Sequence, residues 1–203
     1  MEITQLGIEG AFVMTPKQFG DPRGLFLEWF KDSAFEGAAG HAFSLAQANL
    51  SVSSRGTVRG IHFADVPPGQ AKYVTCVAGA VLDVVVDIRV GSPTFGQWEG
   101  VLLDTLDRRA IYLSEGLGHG FCALEDASTV MYLCSEGYSP SREREVHPLD
   151  PAIGIDWGLP MQDLLLSPKD EAAPTLADAA TAGNLPTFDA STSYRGSLPG
   201  LSS

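Results

Sequence analysis

Turn-forming residues recur along this chain at intervals too short for long helices: 22 glycines and 13 prolines are spread over 203 residues. Short apolar runs separated by such punctuation predict an all-β sandwich or barrel rather than a helical fold. The clearest run covers residues 81–88. There Leu82, Val84, Val86 and Ile88 fall on one face of a strand, and Val81, Asp83, Val85 and Asp87 on the other. One of those faces is predicted to meet a core. Residues 72–77 read as a strand ending at Ala78, Gly79 and Ala80, a spacing that predicts a hairpin into 81–88. Further strands are predicted over 97–103, 109–113 and 129–134, and near the N-terminus over 10–14 and 25–30. Short, evenly spaced strands of this kind suit a jelly roll. Two segments read as helical, 31–39 and 174–182, the second with Pro174 suited to a first turn and Gly183-Asn184 to its end. A single domain is thus predicted over residues 1–185, with a short C-terminal helix. A flexible tail rich in Ser, Thr, Gly and Pro is predicted over 186–203.

Charge narrows the partners. Acidic residues outnumber basic ones 25 to 13, giving a net charge of −12 and a pI near 4.6. Binding to nucleic acid or to an anionic membrane needs a cationic face that releases counterions, so neither is expected. No apolar run approaches the roughly 20 residues that span a bilayer, and the first residues lack a basic segment leading into an apolar one. A cytoplasmic location is expected. Cys76, Cys122 and Cys134 are odd in number and widely spaced, and are read as small apolar core residues rather than as disulfides or metal ligands.

Three segments hold more polar chemistry than packing requires: FGDPRG from Phe19, VRGIHF from Val58 followed by GQAK, and GHGF from Gly118. With these in view the chain resembles the dTDP-4-dehydrorhamnose 3,5-epimerases and the related 3- and 5-epimerases of antibiotic deoxysugar pathways. The similarity runs in order through FGDPRGLFLE, QANLS, TVRGIHF, AKYV, VVDIRVGSPTFGQW, GHGF, MYLCSEGYSP and LSPKDEAAP, covering about residues 10–176. The resemblance implies a cupin-type jelly-roll β-sandwich without cofactor or metal. It also implies a homodimer whose N-terminal segment crosses to the neighbouring subunit, so that the active site is shared.

The implied reaction inverts carbon next to a ketone on a dTDP-4-keto-6-deoxy sugar. Such a ketone acidifies the adjacent C–H bonds, so inversion needs a base on one face, a group to hold the enolate oxygen, and an acid on the other face. By resemblance His62 is the base, Asp170 its acidic partner, Lys72 the group near the C4 oxygen, and Tyr132 the proton donor across the ring. Arg23 and Arg59 match positions that meet the diphosphate, which a chain of this net charge must attract locally. Phe19, Glu28, Gln47, Asn49, His119 and Tyr138 match positions around sugar and nucleotide, with Tyr138 a stacking platform for thymine. Taken singly, each has a plainer reading. His62 could be a hydrogen-bonded structural histidine, Tyr132 a core residue with a satisfied hydroxyl, and Asp170 a helix-start residue.

Two departures from the family pattern, Leu50 where many members have histidine and Gly137 where many have an aromatic, are expected at or near the pocket. With the tail, which resembles antibiotic-pathway members, they tilt the reading toward inversion at C3 rather than at C3 and C5. Two rival classes are a metal-dependent cupin enzyme and a nucleotide-sugar-binding protein without catalysis. The first lacks its paired histidines, because His62 is followed by Phe63 and Ala64. The second sits poorly with four intact reaction residues.

Overall fold

Each short apolar run becomes a strand in the computed structural model, which describes residues 1–200. In chain order the first half contains β1 (Glu2–Gln5), β2 (Ala11–Thr15), β3 (Gln18–Asp21), β4 (Gly24–Leu27), helix α1 (Asp32–Ala39), β5 (Gln47–Ser53), β6 (Val58–Ala64) and β7 (Lys72–Ala78). Then come β8 (Ala80–Val86), β9 (Trp98–Asp104), β10 (Ala110–Leu113), β11 (Gly118–Ala123), β12 (Ser128–Cys134) and β13 (Glu143–Glu145). Helices α2 (Pro168–Glu171), α3 (Leu176–Thr181) and α4 (Phe188–Ser197) close the chain. A six-stranded sheet in the order β1-β2-β10-β7-β12-β5 faces a five-stranded sheet in the order β13-β6-β11-β8-β9, and β3 with β4 forms a separate hairpin.

Three apolar layers hold this sandwich. Between the sheets, Val13, Val74, Ile111 and Val130 meet Val81, Val85, Leu103 and Phe121. Behind the five-stranded sheet, Ile61, Val84, Val86 and Ile88 meet Trp157, Leu176 and Leu185. Behind the six-stranded sheet, Phe12, Tyr73 and Tyr112 pack on Phe35 of α1. Each large buried side chain contributes about 1.5–3 kcal/mol of apolar transfer. The strand β8 is therefore buried on both faces, not one, and Asp83 and Asp87 lie fully inside.

The expected hairpin after β7 is not formed. β7 pairs with β10 and β12, whereas β8 pairs with β11 and β9, so the turn at Gly79 carries the chain from one sheet to the other. Gly79 has φ +69, and a Cβ there would stand 2.6 Å from the Ser128 hydroxyl oxygen. Only glycine combines that backbone with that approach.

The helical expectations shift by their caps. Thr175 caps α3 by accepting from the Asp178 N–H, so Pro174 precedes the helix instead of opening it. The tail is corrected over residues 186–200: it forms α4, capped by Thr187, with Ser191 buried and Arg195 paired with Glu9. Its anchor is Arg89, whose guanidinium lies 5.0 Å from the Phe188 ring centroid and donates twice to Asp87 at 2.8 Å. Ser92 and Thr94 also donate to Asp87, so the VVDIRVGSPTFG segment is a buried polar knot that seats the helix. The rest of the expected tail, residues 201–203, lies outside the described residues. All three cysteines are buried and free. Among the described residues no helix is long and apolar enough to cross a membrane.

Candidate active site

At one end of the sandwich a cavity of about 480 Å³ opens between the sheets, lined by His62, His119, Lys72, Tyr132, Arg59 and Asp170 among others. His62 on β6 and His119 on β11 are register partners in the five-stranded sheet. Lys72 on β7 and Tyr132 on β12 come from the six-stranded sheet opposite. The histidine wall depends on a close backbone approach. Gly60 has φ +128, and a Cβ on it would sit 2.6 Å from Gly120 Cα and 2.7 Å from the His119 carbonyl oxygen. The β6–β11 register slips between His119 and Phe121, where those glycines meet.

His62 Nε2 lies 2.7 Å from Asp170 Oδ1, which leaves Nδ1 as the ring nitrogen free to take a proton. Asp170 is carried by the short helix α2, whose cap Ser167 accepts from the Asp170 N–H and donates its hydroxyl to Asp170 Oδ2 at 2.8 Å. The helix-start role and the histidine-partner role thus fall on one residue. Burial disfavours the Asp170 carboxylate, but the hydrogen bond and charge of His62, the Ser167 hydroxyl and the charge of Lys169 outweigh it, holding the carboxyl below the usual range.

His119 Nε2 sits 2.9 and 3.0 Å from the two oxygens of Asp83, both residues being buried. Burial lowers the Lys72 ammonium, against the opposing pull of neighbours that include Glu143 and Asp83. Lys72 enters no ion pair among the described residues, so its charge is available to the cavity. Burial chiefly raises the Tyr132 phenol, and Asn49, its register partner on β5, works against that rise. A phenol so raised stays protonated at neutral pH.

The remaining expected residues fall into two groups. Arg59 lines the cavity, its Nε donating to Ser53 at 3.1 Å. Gln47, Asn49 and Tyr138 form a chain: Gln47 donates to Asn49 at 2.7 Å and accepts from the Tyr138 N–H at 2.9 Å, leaving the Tyr138 ring exposed. Phe19 and Arg23 are not brought to the cavity of their own chain. They sit on the projecting β3–β4 hairpin, in a shallow depression of their own, with the Arg23 guanidinium held by Asp21. Glu28 is likewise exposed, 3.6 Å from Lys31.

The placement of Leu50 corrects its expected position. Side chains of β5 alternate, so Gln47, Asn49 and Ser51 turn inward while Leu50 faces out and is 60% exposed. Gly137 lies beside Gln47, whose Oε1 is 3.9 Å from an added Cβ, and neither residue lines the cavity.

Sequence reasoning missed Ser167, Lys169, Thr57 and Ser51 on the cavity wall, and Asp83 behind His119. Ser167 carried a signal, a serine followed by proline with aspartate three positions on, which marks a capped helix start. Among the described residues no three His, Cys, Asp or Glu side chains cluster so as to hold a metal ion.

The family model described as dTDP-4-dehydrorhamnose 3,5-epimerase matches residues 5–178. The chain belongs to that family. Relatives of this epimerase family include a dTDP-4-dehydrorhamnose 3-epimerase of Streptomyces niveus and a dTDP-4-dehydrorhamnose 3,5-epimerase of Mycolicibacterium smegmatis. Each is 61% identical over 188 residues, or 93% of this chain and 90% and 92% of those proteins. The solved structure of ChmJ, a 3'-monoepimerase from Streptomyces bikiniensis in complex with dTDP-quinovose, superposes with a TM-score of 0.91 at 51% identity, covering 95% of this chain and 97% of that one. The family's jelly roll is the fold described above.

Proposed function

We propose that this epimerase inverts C3 of a dTDP-4-keto-6-deoxyhexose through an enolate. The observation that carries the reading is the placement of a carboxylate-paired imidazole on one sheet and a protonated phenol on the other, across one cavity. His62 takes the C3 proton at Nδ1 while Asp170, accepting at Nε2, stabilises the imidazolium. The electron pair of the C–H bond moves into the ketone, and the Lys72 ammonium stabilises the resulting oxyanion. The Tyr132 hydroxyl delivers a proton to C3 from the opposite face, and solvent then returns a proton to Tyr132 and removes one from His62.

Arg59 is the diphosphate contact within the chain, and Tyr138 the stacking surface for the base. Phe19, Arg23 and Glu28 act from a neighbouring subunit. Exposed Phe19, Leu25 and Phe26 on a hairpin that contacts little of its own chain support that shared-site homodimer, as does the separation of Arg23 from the cavity. The cytoplasm, where nucleotide sugars are made, is the proposed location. The S. niveus and S. bikiniensis relatives, named as C3 epimerases, support C3 over the pair C3 and C5, while the equally similar M. smegmatis relative is named a 3,5-epimerase.

The test is incubation with dTDP-4-keto-6-deoxyglucose in deuterium oxide, with the label located by NMR. Deuterium at C3 and little at C5 is expected. Comparable inversion at both carbons would replace the C3 reading with a 3,5-epimerase, and absence of exchange anywhere would favour a binding protein.

A further inference from the structure

A second cavity, of about 180 Å³, lies on the opposite side of the six-stranded sheet from the active site, beneath the end of α4. Its walls come from three parts of the chain. Tyr112 of β10 and Glu115 form the floor, His41 and Phe43 follow α1, and Tyr194 and Leu198 come from the α4 segment. His41, Tyr112 and Glu115 are all more than nine-tenths buried. Yet His41 Nε2, Tyr112 Oη and Glu115 Oε2 have no hydrogen-bond partner among the described residues. Buried polar atoms are satisfied in the great majority of cases, so three around one cavity point to a polar occupant.

The neighbours of those atoms define its chemistry. His41 Nδ1 meets the Ala42 carbonyl oxygen at 2.9 Å, so it carries the ring proton and Nε2 is an acceptor. Glu115 Oε1 accepts from the Ser135 hydroxyl at 3.2 Å, leaving Oε2 as a second acceptor. The Tyr112 hydroxyl, kept protonated by burial, offers lone pairs as a third acceptor and one O–H that donates. The cation nearest this group on α4, Arg195, is engaged by Glu9, and the other carboxylate on the wall, Glu136, is 3.6 Å from Arg142. The rings of His41 and Tyr112 stand 6.4 Å apart, and Phe43 and Tyr194 add two more aromatic faces.

We infer that this cavity is a second ligand site, separate from the epimerase centre, for a small primary ammonium compound. An R–NH₃⁺ group has three N–H donors, which meet the two unpartnered acceptors His41 Nε2 and Glu115 Oε2 and the lone pairs of the Tyr112 hydroxyl, whose own O–H turns to the Glu115 carboxyl. Burial raises the Glu115 carboxyl and disfavours its charge, and a cation beside it favours the ionised form, while the flanks of the amine meet aromatic faces. A carboxylate or phosphate ligand would be repelled, an alcohol offers one donor, and a quaternary ammonium offers none. The space equals about six waters at ~30 Å³ each, enough for an amine of a few carbons. Because the walls include both sheet and helix, the bound amine ties α4 to the sandwich.

The test uses the full chain with ethylammonium, ethanol and tetramethylammonium as probes, followed by calorimetry and by thermal unfolding. Saturable binding of one ethylammonium per chain is expected, with a rise in melting temperature and an affinity about tenfold or more above that of the other two probes. Saturating dTDP should leave that affinity unchanged. Glu115→Gln and Tyr112→Phe should each weaken it severalfold. The site is overturned if ethanol binds as well as ethylammonium, if dTDP displaces the amine, or if a crystal grown with ethylammonium shows only water between His41, Tyr112 and Glu115. The three-probe comparison on the unaltered chain decides the matter even if a variant fails to fold.

Discussion

The two histidine–aspartate pairs of the active site use the same chemical parts in opposite ways. His62 and His119 face each other across the β6–β11 ladder, and each offers Nε2 to a carboxylate. Asp170 reaches His62 from a helix 108 residues away, and the His62 side chain keeps 34% of its surface open. Asp83 reaches His119 from the adjoining strand, both oxygens are engaged, and the pair is almost wholly buried, His119 keeping only 9% of its side-chain surface where it lines the cavity. A histidine–carboxylate pair therefore does not by itself make a base. Access to the second ring nitrogen does, and that access follows from supplying the carboxylate from outside the sheet.

The contrast predicts a graded series. His62→Asn should abolish both inversion and solvent exchange at C3, a loss of about 10⁴-fold or more, because no group remains to form the enolate. Residual exchange at near the parent rate would move the base elsewhere. Tyr132→Phe should lower inversion by roughly 10²- to 10⁴-fold while exchange continues, since the enolate still forms and is reprotonated from the side it left. His119→Asn should break the comparison in the other direction. It leaves the buried Asp83 carboxylate without its partner and costs about 3–5 kcal/mol in urea denaturation, while exchange at C3 persists. Arg59→Ala should weaken dTDP binding by about 1.5–3 kcal/mol, with a smaller loss at high salt.

A pH series sharpens the same contrast. The Asp170 carboxyl is held below its unfolded value near 3.9, so its stabilising contribution is complete above that pH and is lost as pH falls through the lower folded value. Parent and Asp170→Asn should differ in melting temperature at pH 7 and converge below about pH 4. A gap unchanged in acid would mean that the carboxylate adds nothing through its charge. The smallest effect belongs to Leu50→His on the exposed face of β5, expected to change stability by less than about 0.5 kcal/mol and to leave the C3 to C5 ratio unaltered.

Leu50 also shows where reading from sequence stops. Its neighbours Gln47 and Asn49 turn to the inner face, but a period of two places Leu50 on the outer one, and the strand identity of 47–53 was not evident from its polar composition. The chemistry-bearing residues were legible because motif order carries them: His62, Lys72, Tyr132 and Asp170 meet although they are spread over more than a hundred positions. Strands such as 81–88 were legible from alternation, yet alternation could not say that both faces are covered, since the second cover comes from residues such as Trp157 and Leu176 far along the chain. α4 escaped notice because its sequence, FDASTSYRGS, has little apolar periodicity. Its order comes from a threonine cap and from Arg89, about a hundred residues earlier.

The single-residue link at Gly79 works like the pivot of a pair of tongs. One jaw, β7, carries Lys72 at its tip, and the other, β8, carries the backing of the histidine wall at the corresponding end. The apolar layer between the sheets fixes how far apart the jaws stand, while the joint fixes which strand ends meet at the cavity.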